Sequence, residues 1–412
     1  MKYTSRLLFT ILIIGILGCE QIKKSRMKGR PFEEVCLETI SDIPQVNKES
    51  KEVIKVDKFS KSQLLSSDII KEFFYIPLES VDESLFAYCT DLEVYNDRIY
   101  LFDRLGTEKL YIFDMQGKYL NQIGQKGGAP FEFYLPKAIA IDYNNDLLIM
   151  YDNMKRKWML HTLNGDFIKA ENLNFRMTCS FQVLPSGNYV SAISKGDHNN
   201  HLGKYQDYKL LFSDSLGNVV KAAYTYPDTE YSYIAYKSLI RYGKEIQYFP
   251  LYLNQICTVT DSTLWLKYEF DYSDFTPFEK EKLGDFESKE QFDEYEIHHT
   301  YLSNFVENDT HLFLDTNDKD GNRFYSFYDK KRKKLISFSS IYNDMDFTVE
   351  FNPMFSYQDY FIALVHPASL KALKQHIQAT THYPAKKENM QLFEQIEEED
   401  NPVLVFFKLT EL

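Results

Sequence analysis

The sequence lacks the signatures of the familiar hydrolases. No G-x-S-x-G nucleophile elbow and no H-E-x-x-H zinc helix occur in its 412 residues. Positive charge is in short supply: 47 Lys and Arg face 60 Asp and Glu, a formal charge of −13. Phosphate backbones need a basic face, so nucleic acid is excluded as a partner. Cysteines number five, and their spacing fits no metal motif. Past the first twenty residues, no apolar run reaches the eighteen that a membrane-spanning helix needs. The glycine-rich "GQKGGAPFEF", 124–133, follows no strand-to-helix transition and so cannot cradle a phosphate. No cofactor is expected.

What the chain has in abundance is aromatic surface, 31 Tyr and 32 Phe among 44% hydrophobic residues. Such side chains suit half-buried pleated sheets, so the composition leans to β structure. The first residues are of another kind. "MKYTSRLLFTILIIGILGC" places Lys2 and Arg6 before an apolar run from Leu7 to Leu17, followed by Gly18-Cys19. The run is short for a span and has the layout of a secretory signal. Its "ILGC" ending resembles a bacterial lipobox, which implies cleavage after residue 18 and lipidation of Cys19. Residues 1–18 are therefore read as a lipoprotein signal peptide, 19–50 as a tether and 51–412 as the folded domain. Behind Cys19, Lys23, Lys24, Arg26, Lys28 and Arg30 form a basic segment that could settle on anionic headgroups or stay solvated. An exported compartment permits disulfides, yet of Cys36, Cys89, Cys179 and Cys257 three sit in apolar strand-like runs, which favours buried free thiols.

The remaining chain repeats. "LYIFDMQGKYLNQIG" places a turn between two alternating runs, and "MLHTLNGDFIKAENL" and "LLFSDSLGNVVKAAY" do the same. The landmark turns fall at Asp114, Asn164 and Asp214, fifty residues apart, with weaker copies at Asp261 and Asp329. Asp-x-x-Gly and Asn-Gly are turn formers, because Asp bonds the backbone ahead and Gly accepts positive φ. A fifty-residue period of four short strands is the signature of a β-propeller blade. The spacing predicts an all-β fold, a six-bladed propeller with small helical insertions. The sixth blade supplies only Phe347–Phe351, Tyr360–Val365 and Val403–Lys408 before the chain ends. An open edge is a liability, so the strand-like "EVIKVD", Glu52 to Asp57, is expected to close that blade as its fourth strand. "PFEKEKLGDFESKEQFDEYE" (277–296) and the region around Leu370, Leu373 and Ile377 have helical spacing. They read as solvated helices, with capping of one ring face as the alternative.

On "FFYIPLES", "RIYLFD", the stretch from Leu110 to Phe133, and "IALVHPASLKAL…EEEDNPVLVFFKL", the chain resembles the six-bladed β-propeller lipoproteins of Bacteroides-type bacteria, relatives of NHL-repeat propellers. The resemblance covers about residues 50–412. One motif departs from the group, since Gly127-Gly128-Ala129-Pro130 shifts a glycine. The resemblance implies a lipid-anchored protein of the outer membrane. An acidic tract behind the lipidated cysteine accompanies surface display in that group; the basic segment here points to the periplasmic face.

Candidate sites are few. The 124–133 loop opens onto an inner strand, so Glu132, Tyr134 and Lys137 are the candidate ligand contacts at the channel mouth. "DTNDKDGN" (315–322) fails as a calcium loop, because Thr316 and Phe327 would occupy its terminal ligand positions. His198/His201 and His298/His299 lack the convergence that zinc requires. Tyr231 and Tyr233 could stack on sugars or simply pack. No catalytic or metal-binding residue is assigned. The function read here is a lipid-anchored binding or protein-interaction scaffold, its partner a peptide, glycan or protein. The competing reading is a metal-dependent lyase or hydrolase working in the central channel.

Overall fold

The computed structural model describes residues 32, 35–43, 45–49, 51–58, 63–178, 180–225, 237–345, 351–369 and 387–412. The signal peptide, Cys19, the basic segment, Cys179, Tyr231, Tyr233, Leu370, Leu373, Ile377 and the greater part of 347–351 lie outside the described residues. Among those described, no helix is long and apolar enough to cross a membrane.

The chain forms a six-bladed β-propeller. Blade one pairs Asp91–Tyr95, Arg98–Asp103, Lys109–Asp114 and Tyr119–Ile123 in sequence order, each antiparallel to the next. Residues 136–172, 181–223, 239–271 and 301–338 repeat that order in blades two to five. The middle strands are buried on both faces: in Leu147–Asp152 every residue after the first is buried. A blade is covered on both sides by its neighbours, so its middle strands read as continuous apolar runs, not as alternation. The outermost strand Leu264–Asp271 alternates strictly between buried and half-buried positions.

Six apolar clusters occupy the six blade junctions. Ile112 and Ile141 meet between blades one and two, Trp158 and Phe181 between two and three, Phe212 and Tyr248 between three and four. Phe270 and Phe305 fill the next junction, Phe327 and Phe407 the fifth, and Leu404 with Tyr111 the junction of six and one. The sixth cluster closes the ring.

Closure is carried by the N-terminal part of the chain, but by a different segment from the one expected. Blade six runs Phe355–Tyr357, Tyr360–Val365, Val403–Leu409, and its fourth strand is Ile70–Pro77. Glu52–Lys55 instead lies parallel to Leu264–Asp271 as an added outer strand of blade four. The innermost strand of blade six is likewise Phe355–Tyr357, further along than 347–351. The reason is physical: "IKEFFYIP" offers eight residues to the seven of "VLVFFKL", burying Ile70 and Ile76, whereas "EVIK" is four long.

The segment ahead of the closing strand runs round the rim as a belt. Ser41–Ile43 pairs parallel with the outer strand of blade three, Val46–Asn47 and Glu52–Lys55 with that of blade four, and Gln63–Leu65 with Ser340–Tyr342 beyond blade five. Ordered pairing thus begins inside the stretch read as a tether. Phe32 stacks on His201 with ring centroids 3.7 Å apart and has the Arg156 guanidinium 4.2 Å above it.

The 277–296 insertion contributes a helix, Lys289–Ile297, capped by Ser288, whose hydroxyl accepts from the Gln291 N–H. The helix is not merely solvated. Phe292 is fully buried among Tyr252, Phe278, Leu283 and Tyr301. The second insertion shows Lys387–Glu394 as helix.

Candidate functional site

Six inner strands surround the axis, and side chains from blades one, two, three, four and six meet across it. At the end where blades hand over to one another, Asp91 opens the inner strand of blade one and Lys237 precedes that of blade four. Their carboxylate and ammonium lie 3.2 Å apart. Blades one and four stand opposite each other in a ring of six, so this ion pair bridges the axis. The Lys237 ammonium also sits 4.7 Å from the ring of Phe355, from blade six.

Deeper in, one relay runs through four blades. Arg241 of blade four donates from Nε to Gln182 Oε1 of blade three at 3.3 Å and from its Nη2 to the Val183 carbonyl. Its guanidinium lies 4.8 Å over the ring of Tyr143 in blade two. The Tyr143 hydroxyl donates to Glu93 Oε2 of blade one at 3.2 Å. Burial pushes the Glu93 carboxyl above the usual carboxylate range, against the pull of Lys237 and Arg241. Burial also lowers the Arg241 guanidinium and, with Glu93 beside it, raises the Tyr143 phenol. Cys89 beside this cluster is buried and free, its thiol pushed well up by desolvation. Cys257 is buried and free as well, and Cys36 is exposed.

At the opposite mouth the inner strands of blades one, four and six end in tyrosine, Tyr95, Tyr242 and Tyr357, and in blade two Tyr143 follows directly. All four are half-buried. Tyr95 and Tyr143 meet edge to face at 4.4 Å. Tyr95 donates to Asp146 at 2.7 Å and Tyr242 to Asp309 at 3.1 Å, so each hydroxyl reaches the turn of the next blade. Lys330 donates to Tyr242 Oη at 3.1 Å and to Glu307 Oε1 at 2.8 Å. Glu307 is itself buried and accepts further bonds from Lys267, Gln247 and Tyr268. The mouth therefore carries an aromatic collar on a fixed polar base. Sequence reasoning missed the collar. Its signal was present in "VYNDR", "DYNND", "RYGKE" and "SYQDY", a tyrosine placed directly before each turn.

The candidate contacts from the sequence lie on the other face. Glu132 serves its own loop: its carboxylate accepts from the Ala129 N–H at 2.7 Å and from Gln125 Nε2 at 3.4 Å. Tyr134 is exposed, with the Lys155 ammonium 5.1 Å from its ring. Lys137 is half-buried, and burial together with Arg104 lowers its pKa. Phe133 is fully buried beneath the loop.

The histidine pairs are engaged locally. His201 Nε2 contacts the Asn174 carbonyl at 2.7 Å, His299 stacks on Tyr295 at 3.7 Å, and His298 faces Asp320. Asp315 pairs with Arg323, and Asp318 accepts from Thr300 at 2.6 Å. Among the described residues no group of three His, Cys, Asp or Glu converges as a metal site would require.

Comparison with known proteins adds to this geometry. The model of a domain of unknown function, DUF4934, matches residues 51–408. No curated protein matches the sequence. Among solved structures, a candidate exported protein of Bacteroides fragilis superposes with a TM-score of 0.70 at 19% identity, covering 88% of this chain and 99% of that one. A DUF4221 family member from Bacteroides vulgatus gives a TM-score of 0.47 at 10% identity, over 83% of this chain and 97% of its own.

Proposed function

We propose a binding role from one premise: this chain belongs to the DUF4934 family, whose model spans the whole ring. The protein is an exported scaffold of the cell envelope that engages a ligand or protein partner through the tyrosine-collared mouth. The observation that carries this reading is the set of side-chain links across the axis. The Asp91–Lys237 bridge and the Glu93–Tyr143–Arg241 relay occupy the passage, so the ring presents a shaped polar and aromatic surface, the kind on which recognition concentrates. Export agrees with the signal-like first residues and with the structural neighbour from Bacteroides fragilis. The same proposal places a lipid on Cys19 and the protein at the periplasmic face of the outer membrane. No observation favours the lyase or hydrolase reading, since among the described residues no donor set for a metal comes together.

The test is site-specific photo-crosslinking in cells. A photoreactive residue at Tyr357 should give a discrete adduct, and one at Leu105, an exposed position on the other face, should not. Equal labelling from both, or none from Tyr357, would remove the collar as the contact surface. In the same cells Cys19→Ser should shift the protein from the membrane to the soluble fraction.

A further inference from the structure

The two faces of the ring differ in kind. On the face where blades hand over to one another, five large apolar side chains stand in water, each between 40% and 66% exposed. Leu85 and Tyr88 lie on the loop from blade six to blade one, and Leu105 on the loop joining the second and third strands of blade one. Phe131 and Tyr134 lie on the loop from blade one to blade two. The first two loops are tied by the Ala87 N–H, which donates to Asp103 at 2.9 Å. The third is braced by Lys155, whose ammonium donates to the carbonyls of Ala129 and Glu132 and lies 5.1 Å from the Tyr134 ring. Arg104 and Lys137 add cations at the seam between them. The nearby acids Asp82 and Glu83 lie toward the rim, Glu83 facing Tyr119 of the outer strand.

The opposite face has no such patch. Its hairpin turns beside the collar carry Asp97, Asp146, Asp309 and Asp359, with Lys244 as their cation and no exposed large apolar side chain. An exposed apolar patch marks a contact with a partner or a membrane, and the path of the tether points to the membrane. Phe32 is seated on the apolar side of the ring. It stacks on His201 and under Arg156, both on loops that join second and third strands, in blades three and two. It follows Cys19 by thirteen residues, so the chain between them reaches at most about 45 Å. That stretch carries the basic run from Lys23 to Arg30, which anionic headgroups attract.

We propose that the hand-over face of blades one and two rests on an anionic lipid surface, with the tyrosine collar directed away from it. Leu85, Leu105 and Phe131 enter the headgroup layer, and Tyr88 and Tyr134 sit at its edge, where amphipathic rings settle. The acidic turns of the collar face are repelled by the same surface, which fixes the orientation. Farther round the apolar side, the 277–296 insertion carries eight acids against three lysines. The ring therefore tilts, lowering blades one and two and lifting the insertion between blades four and five. This placement rests on the anchor at Cys19 proposed above.

The experiment uses residues 19–412 with Cys19→Ser, which removes the lipid, so vesicle binding reads the face alone. Fractionation of the same variant in cells reads the anchor. Sedimentation is measured with vesicles of phosphatidylethanolamine containing about 30% phosphatidylglycerol. Half the protein should be bound at about 1 mM lipid. Leu105→Ser combined with Phe131→Ser should weaken binding about tenfold at unchanged Tm, while Tyr357→Ser leaves it unaltered. An environment-sensitive fluorescent residue placed at Leu105 should shift to the blue with vesicles, and one at Asp97 should not. The proposal is overturned if nothing binds at about 10 mM lipid, if the double variant binds like the parent, or if the blue shift appears at 97. It is equally overturned if sedimentation velocity shows a dimer that the double variant dissolves, because a second copy then covers the face.

Discussion

His161 shows how much a single buried group can set. It lies 1% exposed on a middle strand of blade two, with Nδ1 donating to the Met159 carbonyl at 3.1 Å and Phe133 stacked at 6.0 Å. Burial lowers its pKa to about 4. In the unfolded chain the imidazole titrates near its ordinary value of 6.5. Above that value both states are neutral and the group leaves stability untouched. Between pH 6.5 and 4 the unfolded state takes up a proton that the folded state refuses, so stability is lost as pH falls. The full effect is up to about 3 kcal/mol. Chemical denaturation across that window should show His161→Gln losing its disadvantage to the parent as the solution is acidified; parallel curves would refute the assignment. Glu307 is a buried carboxylate with matched partners. Its side chain is 1% exposed and held by Lys267 and Lys330. Glu307→Leu should cost about 3–5 kcal/mol, because two ammonium groups lose their shared partner. A loss below about 1 kcal/mol would make the network a surface pair.

At the scale of elements, the turn glycines do two jobs. Gly117 has a φ of 82°, and a Cβ there would come within 2.0 Å of the Pro77 carbonyl oxygen. Gly217, with a φ of 80°, stands in the same relation to the Asn172 carbonyl. In each case the outer turn of one blade rests against the outermost strand of the blade before it. Gly117→Ala should therefore cost about 2 kcal/mol or more, from strain and steric conflict together, and thermal melting of the variant checks it. Turn chemistry was legible in the sequence, since Asp114-x-x-Gly117 and Asn164-Gly165 announce themselves locally. The close approach was not, because it joins residues far apart in the chain. Asp103 and Asp152 tell a similar story. Each ends a second strand and ties the loop beyond to the segment that leads into the blade, Asp103 accepting from Gly106, Thr107 and Ala87 and Asp152 from Met154, Lys155 and Tyr134. Their spacing repeats the blade period, but a lone Asp after a strand looks like any other turn.

For the whole molecule, blade number and strand order could be read from periodicity because every blade is a local antiparallel unit. Which segment closed the ring could not, since "EVIKVD" and "IKEFFYIP" are both strand-like and only length and neighbours decide between them. The axial cluster escaped for the same reason: Asp91, Glu93, Tyr143, Lys237 and Arg241 converge from three blades with no sequence proximity. The belt depends on parallel pairings that no local pattern announces. Closure also sets the collar, which keeps its shape only while the ring is shut.

Hydrogen exchange followed by mass spectrometry tests closure directly. Amides of Ile70–Pro77 should exchange as slowly as those of Val403–Leu409, their ladder partner, with the outer belt strand Glu52–Lys55 opening sooner. If 70–77 exchanges like a free tail while 403–409 stays protected, the ring is not closed by this strand and the account of the molecule fails.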